Sequence, residues 1–284
     1  LCKRHRYYLI LFLDLILREA FGPLFFLLII LKEHMKKIAV IMSDDRYLVT
    51  NLQDANYNSL SASINSNYCK VNGYDFIYYQ PYYKSVDLTS HTNCVDPNNN
   101  NLVRHSAWSK LLSTLKAIEL GIYDYIVYID TDAILRTINY RIETIIDKYL
   151  GNNEFIFFDN SPNFLTKGPE NSACSGFYIL KVNNKSRQDI IDWYNVDLPY
   201  FNTTPFWEQS ALWFNILKSL NVTIAPEPHF DEVPGQFLRH LHSGTAGLRV
   251  PYFTEVIREL NLDIKNNKNL NYIQYDTSIL PYSK

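Results

Sequence analysis

The sequence predicts an α/β domain on a largely parallel sheet, from three observations. Short β-rich runs alternate with segments of helical spacing from residue 37 onward. The run "YDYIVYID" (123–130) is apolar on both faces, as buried parallel strands are. No internal repeat or linker-like stretch interrupts residues 35–284, which read as one domain. Right-handed crossovers between such strands place ligands beyond the carboxyl ends of the sheet.

In order, "KIAVIM" (37–42) predicts the first strand, followed by polar "SDDRY". Spaced apolar positions over 51–71 predict a helix that ends near "NGYD", and "DFIYYQ" (75–80) a second strand. Residues 81–103, with Pro, Ser, Thr and an Asn tract, read as a long loop. "SAWSKLLSTLKAIEL" (106–120) has helical spacing and stops at Gly121, before the apolar run 123–135. Residues 139–150, 187–196 and 208–220 predict helices; 154–160, 176–182, 221–227 and 235–243 predict strands; the tail from about 262 is Asn-rich and weakly patterned.

Composition narrows the function. A net charge of −2 excludes the basic stripe of a nucleic-acid binder. Cys2, Cys69, Cys94 and Cys174 lack the spacing of a zinc knuckle or redox pair and read as free thiols. Sequons at Asn184, Asn202 and Asn221 are expected by chance in a chain this rich in Asn. At the N-terminus, basic "KRHR" precedes an apolar run, residues 7–31, broken by Asp14, Arg18 and Glu19. Each central charge costs about 3 kcal/mol on insertion, which roughly cancels the gain from the Leu, Ile and Phe residues. "MKKIAVIM" from Met35 reads as an ordinary start, so residues 1–34 are set aside as upstream sequence or a poorly formed signal anchor. A chain started at Met35 would be cytoplasmic. One that uses residues 7–31 for membrane association would be a type II, Golgi-like protein.

Asp130 and Asp132 end the apolar run one residue apart. Strand alternation turns both side chains one way and Thr131 the other. Two adjacent carboxylates repel unless a cation lies between them, and such hard oxygen donors suit Mn2+ or Mg2+. A turn acid capping the next helix needs only one Asp and leaves the second unexplained.

The helix carrying "WSK", then "YDYIVYIDTDAIL", resembles the core of GT-A nucleotide-sugar glycosyltransferases, and more narrowly that of glycosyltransferase family 34. "YCKVNGYDFI" (68–77) is similar to that family's helix-to-strand segment, with Asn72 where its His usually stands. "CSGFYILKVN" (174–183), "WEQSALW" (207–213) and "GQFLRHLHSG" (235–244) are similar to its small-residue strand, its acidic-Gln-Ser-Ala-Leu motif and its late strand ending in a metal-binding His. Glu208 replaces the commoner Asp. The resemblance covers about 37–250. It implies a Rossmann-like, mostly parallel sheet flanked by helices. The implied activity moves a hexose or pentose from a UDP- or GDP-sugar to a glycan or other hydroxyl acceptor, with retention.

By that resemblance Asp130 and Asp132 bridge the metal and the donor diphosphate, and a third ligand comes from His240 or His242, with His240 favoured by alignment. Glu208 and Gln209 face the sugar as catalytic candidates; the helix dipole alone also favours an acid at that position. Asp44 falls where nucleotide is met, and Lys110 and Arg249 are candidates for the diphosphate. Trp108, Trp207 and Trp213 offer rings for stacking or for the core. Two other readings stand beside this one. Haloacid dehalogenase-type phosphatases also place Asp-x-Asp after an apolar strand, but on their first strand, and usually with Thr or Val where Ile134 stands here. A non-catalytic glycan-binding relative would have no need of the intact acids, histidines and "EQ" pair.

Overall fold

Ile, Val, Tyr and Phe runs form the strands of the computed structural model, which describes residues 36–82, 92–96, 99–159, 173–196, 206–225 and 237–277. Strand β1 (Ile38–Ser43) leads to helix α1 (Tyr57–Asn72), closed by Gly73 at a left-handed φ of 76°. β2 (Asp75–Tyr82), β3 (Thr92–Asp96) and β4 (Asn99–His105) follow, then α2 (Ser109–Glu119). β5 (Tyr125–Ile129) and β6 (Ala133–Leu135) flank the Asp130–Asp132 break. After α3 (Ile142–Tyr149) come β7 (Phe155–Asp159), β8 (Ala173–Lys181) and α4 (Asn184–Tyr194). The order ends with α5 (Trp207–Ala211), β9 (Val222–Ala225), β10 (Leu238–His240), α6 (Arg249–Glu259) and β11 (Asn271–Asp276).

Among the described residues the main sheet has seven strands in the order β11-β2-β1-β5-β8-β7-β9. β8 is antiparallel to β5 and β7, and the other pairings are parallel. Alternation sends Ile41, Ile77, Tyr79, Ile126, Tyr128 and Tyr178 to one face, against α2 and α4. Val40, Met42, Tyr78, Val127, Ile129 and Ile179 go to the other, against α1 and α3. A third apolar cluster joins α1 to α6 through Leu60, Ile64, Phe253 and Ile257. At roughly 1.5–3 kcal/mol per fully buried large side chain, these faces dominate the folding energy.

Several expectations are corrected. Residues 81–103 are not loop throughout: β3 and β4 pair antiparallel, Thr92 opposite His105 and Val95 opposite Val103. Backbone pairing there overrides the weak strand propensity of Asn. The strand expected over 123–130 stops at Ile129, and Asp130–Asp132 lie not on a strand face but in a turn before β6, closed by Ala133 N–H donating to Asp130 O at 3.1 Å. The helix expected over 208–220 passes from α into a π turn at Leu212–Ile216 and a 3-10 turn at Leu217–Ser219. The tail carries real structure, with β11 on the sheet edge, because its tyrosines bind by hydroxyl as well as by ring. Tyr275 packs edge-on to Tyr79 and donates to Ser109 O at 3.1 Å. Among the described residues no helix is long and apolar enough to cross a membrane. Residues 1–34 lie outside the described residues.

Candidate active site

Parallel strands β1 and β5 end at one edge of the sheet, and antiparallel β8 begins there. Asp130 follows β5 and keeps its ladder, donating N–H to Gly176 O at 2.7 Å. A second, small sheet brings in His240: β10 pairs antiparallel with β6, His240 opposite Ala133, and Leu241 N–H donates to Asp132 O at 2.8 Å. That register sets the imidazole beside Asp132, with Nε2 at 3.1 Å from Oδ1. One ligand atom each from Asp130, Asp132 and His240 lie within 4.8 Å of one another. Opposed ligands of Mg2+ or Mn2+ are about 4.2 Å apart, so the three atoms are near enough to one another to share one ion. Two carboxylates and an imidazole are donors that a divalent ion accepts, the carboxylates suiting Mn2+ or Mg2+. His242 is outside this group, its ring 6.4 Å from that of His240.

Gly176 makes the close packing possible. A Cβ there would lie 2.8 Å from His240 Cε1 and 2.9 Å from Asp130 Oδ2, where no side-chain carbon fits. Cys174, one turn of the β8 pleat away, puts Sγ 4.0 Å from His240 Nδ1.

A second group joins the first through a buried cation. Lys110, on α2, reaches Asp130 at 3.2 Å and Glu208 at 2.7 Å. Burial would lower the Lys110 pKa, but Asp130 and Glu208 outweigh it and hold the ammonium charged. Ser175 ties the same end of α5 down: its N–H donates to Gln209 Oε1 at 2.8 Å and its hydroxyl to Glu208 Oε1 at 2.9 Å. The backbone donor fixes the Gln209 amide with its oxygen toward β8. Glu208 is 3% exposed, and its Oε2 has no hydrogen-bond partner among the described residues. The chain enters α5 through Phe206 and Trp207, both at positive φ (72° and 34°), a strain of about 1–3 kcal/mol each. Trp207 is held there by stacking on His105, ring centroids 3.6 Å apart.

A cavity of about 300 Å3 adjoins the two acids of the first group, lined by Asp44, Arg46, Tyr57, His105, Asp130 and Asp132 among others. Asp44 is engaged by Arg46 and accepts from Thr131 Oγ1 at 2.8 Å, so the residue between Asp130 and Asp132 braces the cavity wall. Arg249, at the start of α6, donates to Asp132 Oδ2 at 2.5 Å. Burial would raise the Asp132 carboxyl, but His240, Arg249 and Lys110 hold it below the usual range. Burial would likewise lower His240, but Asp132 outweighs it and pushes the imidazole well up.

The structure thus brings Asp130, Asp132 and His240 into one cluster, with Lys110, Glu208, Gln209 and Arg249 against it and Asp44 beside it through Thr131. Arg46, Tyr57, Ser175 and Gly176 were not foreseen as individual contributors. The Asp-Arg spacing in "SDDRY" was the available signal for Arg46. Trp108 is buried under Arg104, and Trp213 donates to Ala173 O at 2.7 Å; both belong to the core.

The fold and site together define a GT-A-type α/β protein. A solved glycosyltransferase involved in glycosylation of the major capsid of PBCV-1 superposes with a TM-score of 0.55 at 12% identity, covering 77% of this chain and 99% of that one. The galactosyltransferase LgtC, solved with donor and acceptor sugar analogs, gives 0.43 at 13% identity, covering 78% and 95%. GlyE of Streptococcus pneumoniae TIGR4 gives 0.45 at 11% identity, covering 84% and 65%. No family model matches the sequence, and no curated protein matches it. The first of these likenesses establishes the fold.

Proposed function

We propose that the protein is a metal-dependent glycosyltransferase that moves a hexose or pentose from a UDP- or GDP-sugar to a glycan or other hydroxyl acceptor, with retention. The observation that carries this reading is the Asp130–Asp132–His240 cluster at the carboxyl edge of the parallel strands, with Glu208 and Gln209 linked to it through Lys110.

Asp130, Asp132 and His240 would hold Mn2+ or Mg2+. The bound ion supplies Lewis-acid neutralisation of the nucleoside-diphosphate leaving group, worth several kcal/mol. Arg249 adds positive charge where the diphosphate would lie, and the Asp44 side of the cavity takes the nucleotide. Glu208, held by Lys110 and Ser175 behind Asp130, is the acid that would orient a donor or acceptor hydroxyl. Gln209, its oxygen occupied by Ser175, offers amide N–H to the sugar. Lys110 is committed to Asp130 and Glu208 as their shared buried counter-charge.

The test is thermal stabilisation of the protein by a panel of UDP- and GDP-sugars with Mn2+ present. One donor should raise the melting temperature of the wild type and of neither Asp130→Asn nor Asp132→Asn. His240→Ala should lose Mn2+ affinity and His242→Ala should keep it. Release of phosphate from phosphomonoesters, with no response to any sugar nucleotide, would overturn the reading in favour of a phosphatase.

A further inference from the structure

Asp132 is shared. Oδ1 faces His240 at 3.1 Å, and Oδ2 takes the Arg249 guanidinium at 2.5 Å. Arg249 is not a loose surface side chain: Nε donates to Leu241 O at 2.6 Å, and the guanidinium lies 4.8 Å from the Tyr57 ring centroid. The same ring carries Arg46 at 4.2 Å, itself paired to Asp44. A closed circuit of contacts therefore runs Asp132–Arg249–Tyr57–Arg46–Asp44–Thr131 around the cavity.

We infer that Arg249 makes metal binding conditional on the diphosphate, so that ion and nucleotide load as a unit; this rests on the metal-diphosphate reading above. Charge decides the point. Asp130, Asp132 and Glu208 contribute three negative charges, and Lys110 and Arg249 return two positive ones. With His240 neutral as a ligand, the site carries one net negative charge. A divalent ion turns that into one net positive charge beside the cavity. The diphosphate removes the excess. Without Arg249 the site would carry two net negative charges, which a divalent ion alone cancels. Arg249 thus weakens the hold on a bare ion and strengthens the ion's demand for phosphate. The two affinities are linked by one coupling term, which each ligand exerts equally on the other.

The experiment measures Mn2+ binding by electron paramagnetic resonance, with and without inorganic pyrophosphate, in wild type, Arg249→Gln and Arg249→Lys. Arg249→Gln should bind Mn2+ alone at least fivefold more tightly. Its enhancement of Mn2+ affinity by pyrophosphate should shrink at least tenfold. Arg249→Lys, which keeps the charge, should stay near wild type in both. Should the Gln variant unfold, Arg249→Met removes the charge while keeping an apolar stem over Tyr57, with the same outcomes expected. Unchanged or weaker binding of the bare ion in the neutral variants would overturn the inference while leaving the metal site standing. Failure of the wild type to bind Mn2+ under either condition would instead overturn the reading on which it rests.

Discussion

Gly176→Ala tests whether the close approach of β8 to the ligand cluster matters. The new Cβ would sit 2.8 Å from His240 Cε1, about 0.7 Å inside ordinary carbon contact, and 2.9 Å from Asp130 Oδ2. Neither neighbour yields freely. His240 is fixed by the β6–β10 ladder and by Asp132, and Asp130 by Tyr128, Lys110 and the backbone of Gly176 itself. Overpacking of this kind costs roughly 1–3 kcal/mol. The displacement also pushes apart two side chains that would have to converge on one ion. Mn2+ affinity should fall at least tenfold, about 1.4 kcal/mol. The assay is a Mn2+ titration at a temperature where circular dichroism finds the variant folded. Wild-type affinity in a folded Gly176→Ala protein would refute the reasoning, since the cluster would then tolerate a side chain the geometry forbids.

Lys110→Met should destabilise by about 3–5 kcal/mol in urea unfolding, because Glu208 and Asp130 lose a buried counter-charge. Adding Glu208→Gln should recover part of that loss, and strict additivity would contradict the pairing. Tyr74 and Arg141 donate to Glu143 and outweigh its burial, holding its carboxyl below the usual range. Its folded pKa is depressed, so the stability it contributes is present above its unfolded value of about 4.5 and disappears as pH falls through the folded value. The stability gap between wild type and Glu143→Gln should therefore be constant above about pH 5 and close in acid; a gap that widens in acid would contradict the sign.

The parts of the fold legible from residues alone are those governed by apolar periodicity: β1, β2, β5, β7 and β8, and the helices α1 to α4 between them. The nearness of Asp130 and Asp132 was legible for a partly mistaken reason. Asp130 and Asp132 do not share a strand face; they sit in the turn after β5, and the β6–β10 ladder brings His240 to them. That pairing spans more than a hundred residues and leaves no local trace. Lys110 read as a candidate for the diphosphate, because its helix position does not reveal that Asp130 and Glu208 converge on it. β11 and α6 escaped notice because polar groups do much of their anchoring: Tyr272 bonds to Gln80, and Arg249 to Leu241 O and Asp132. Gly176 carried no signal beyond its small size; the need for it appears only once the histidine is in place.

The most direct measurement is release of nucleoside diphosphate from a panel of UDP- and GDP-sugars, compared with and without Mn2+ in wild type and Asp130→Asn. The account predicts turnover of at least one donor by the wild type, abolished by chelation and by the substitution in a protein that remains folded. Turnover of a sugar nucleotide that survives both would contradict it.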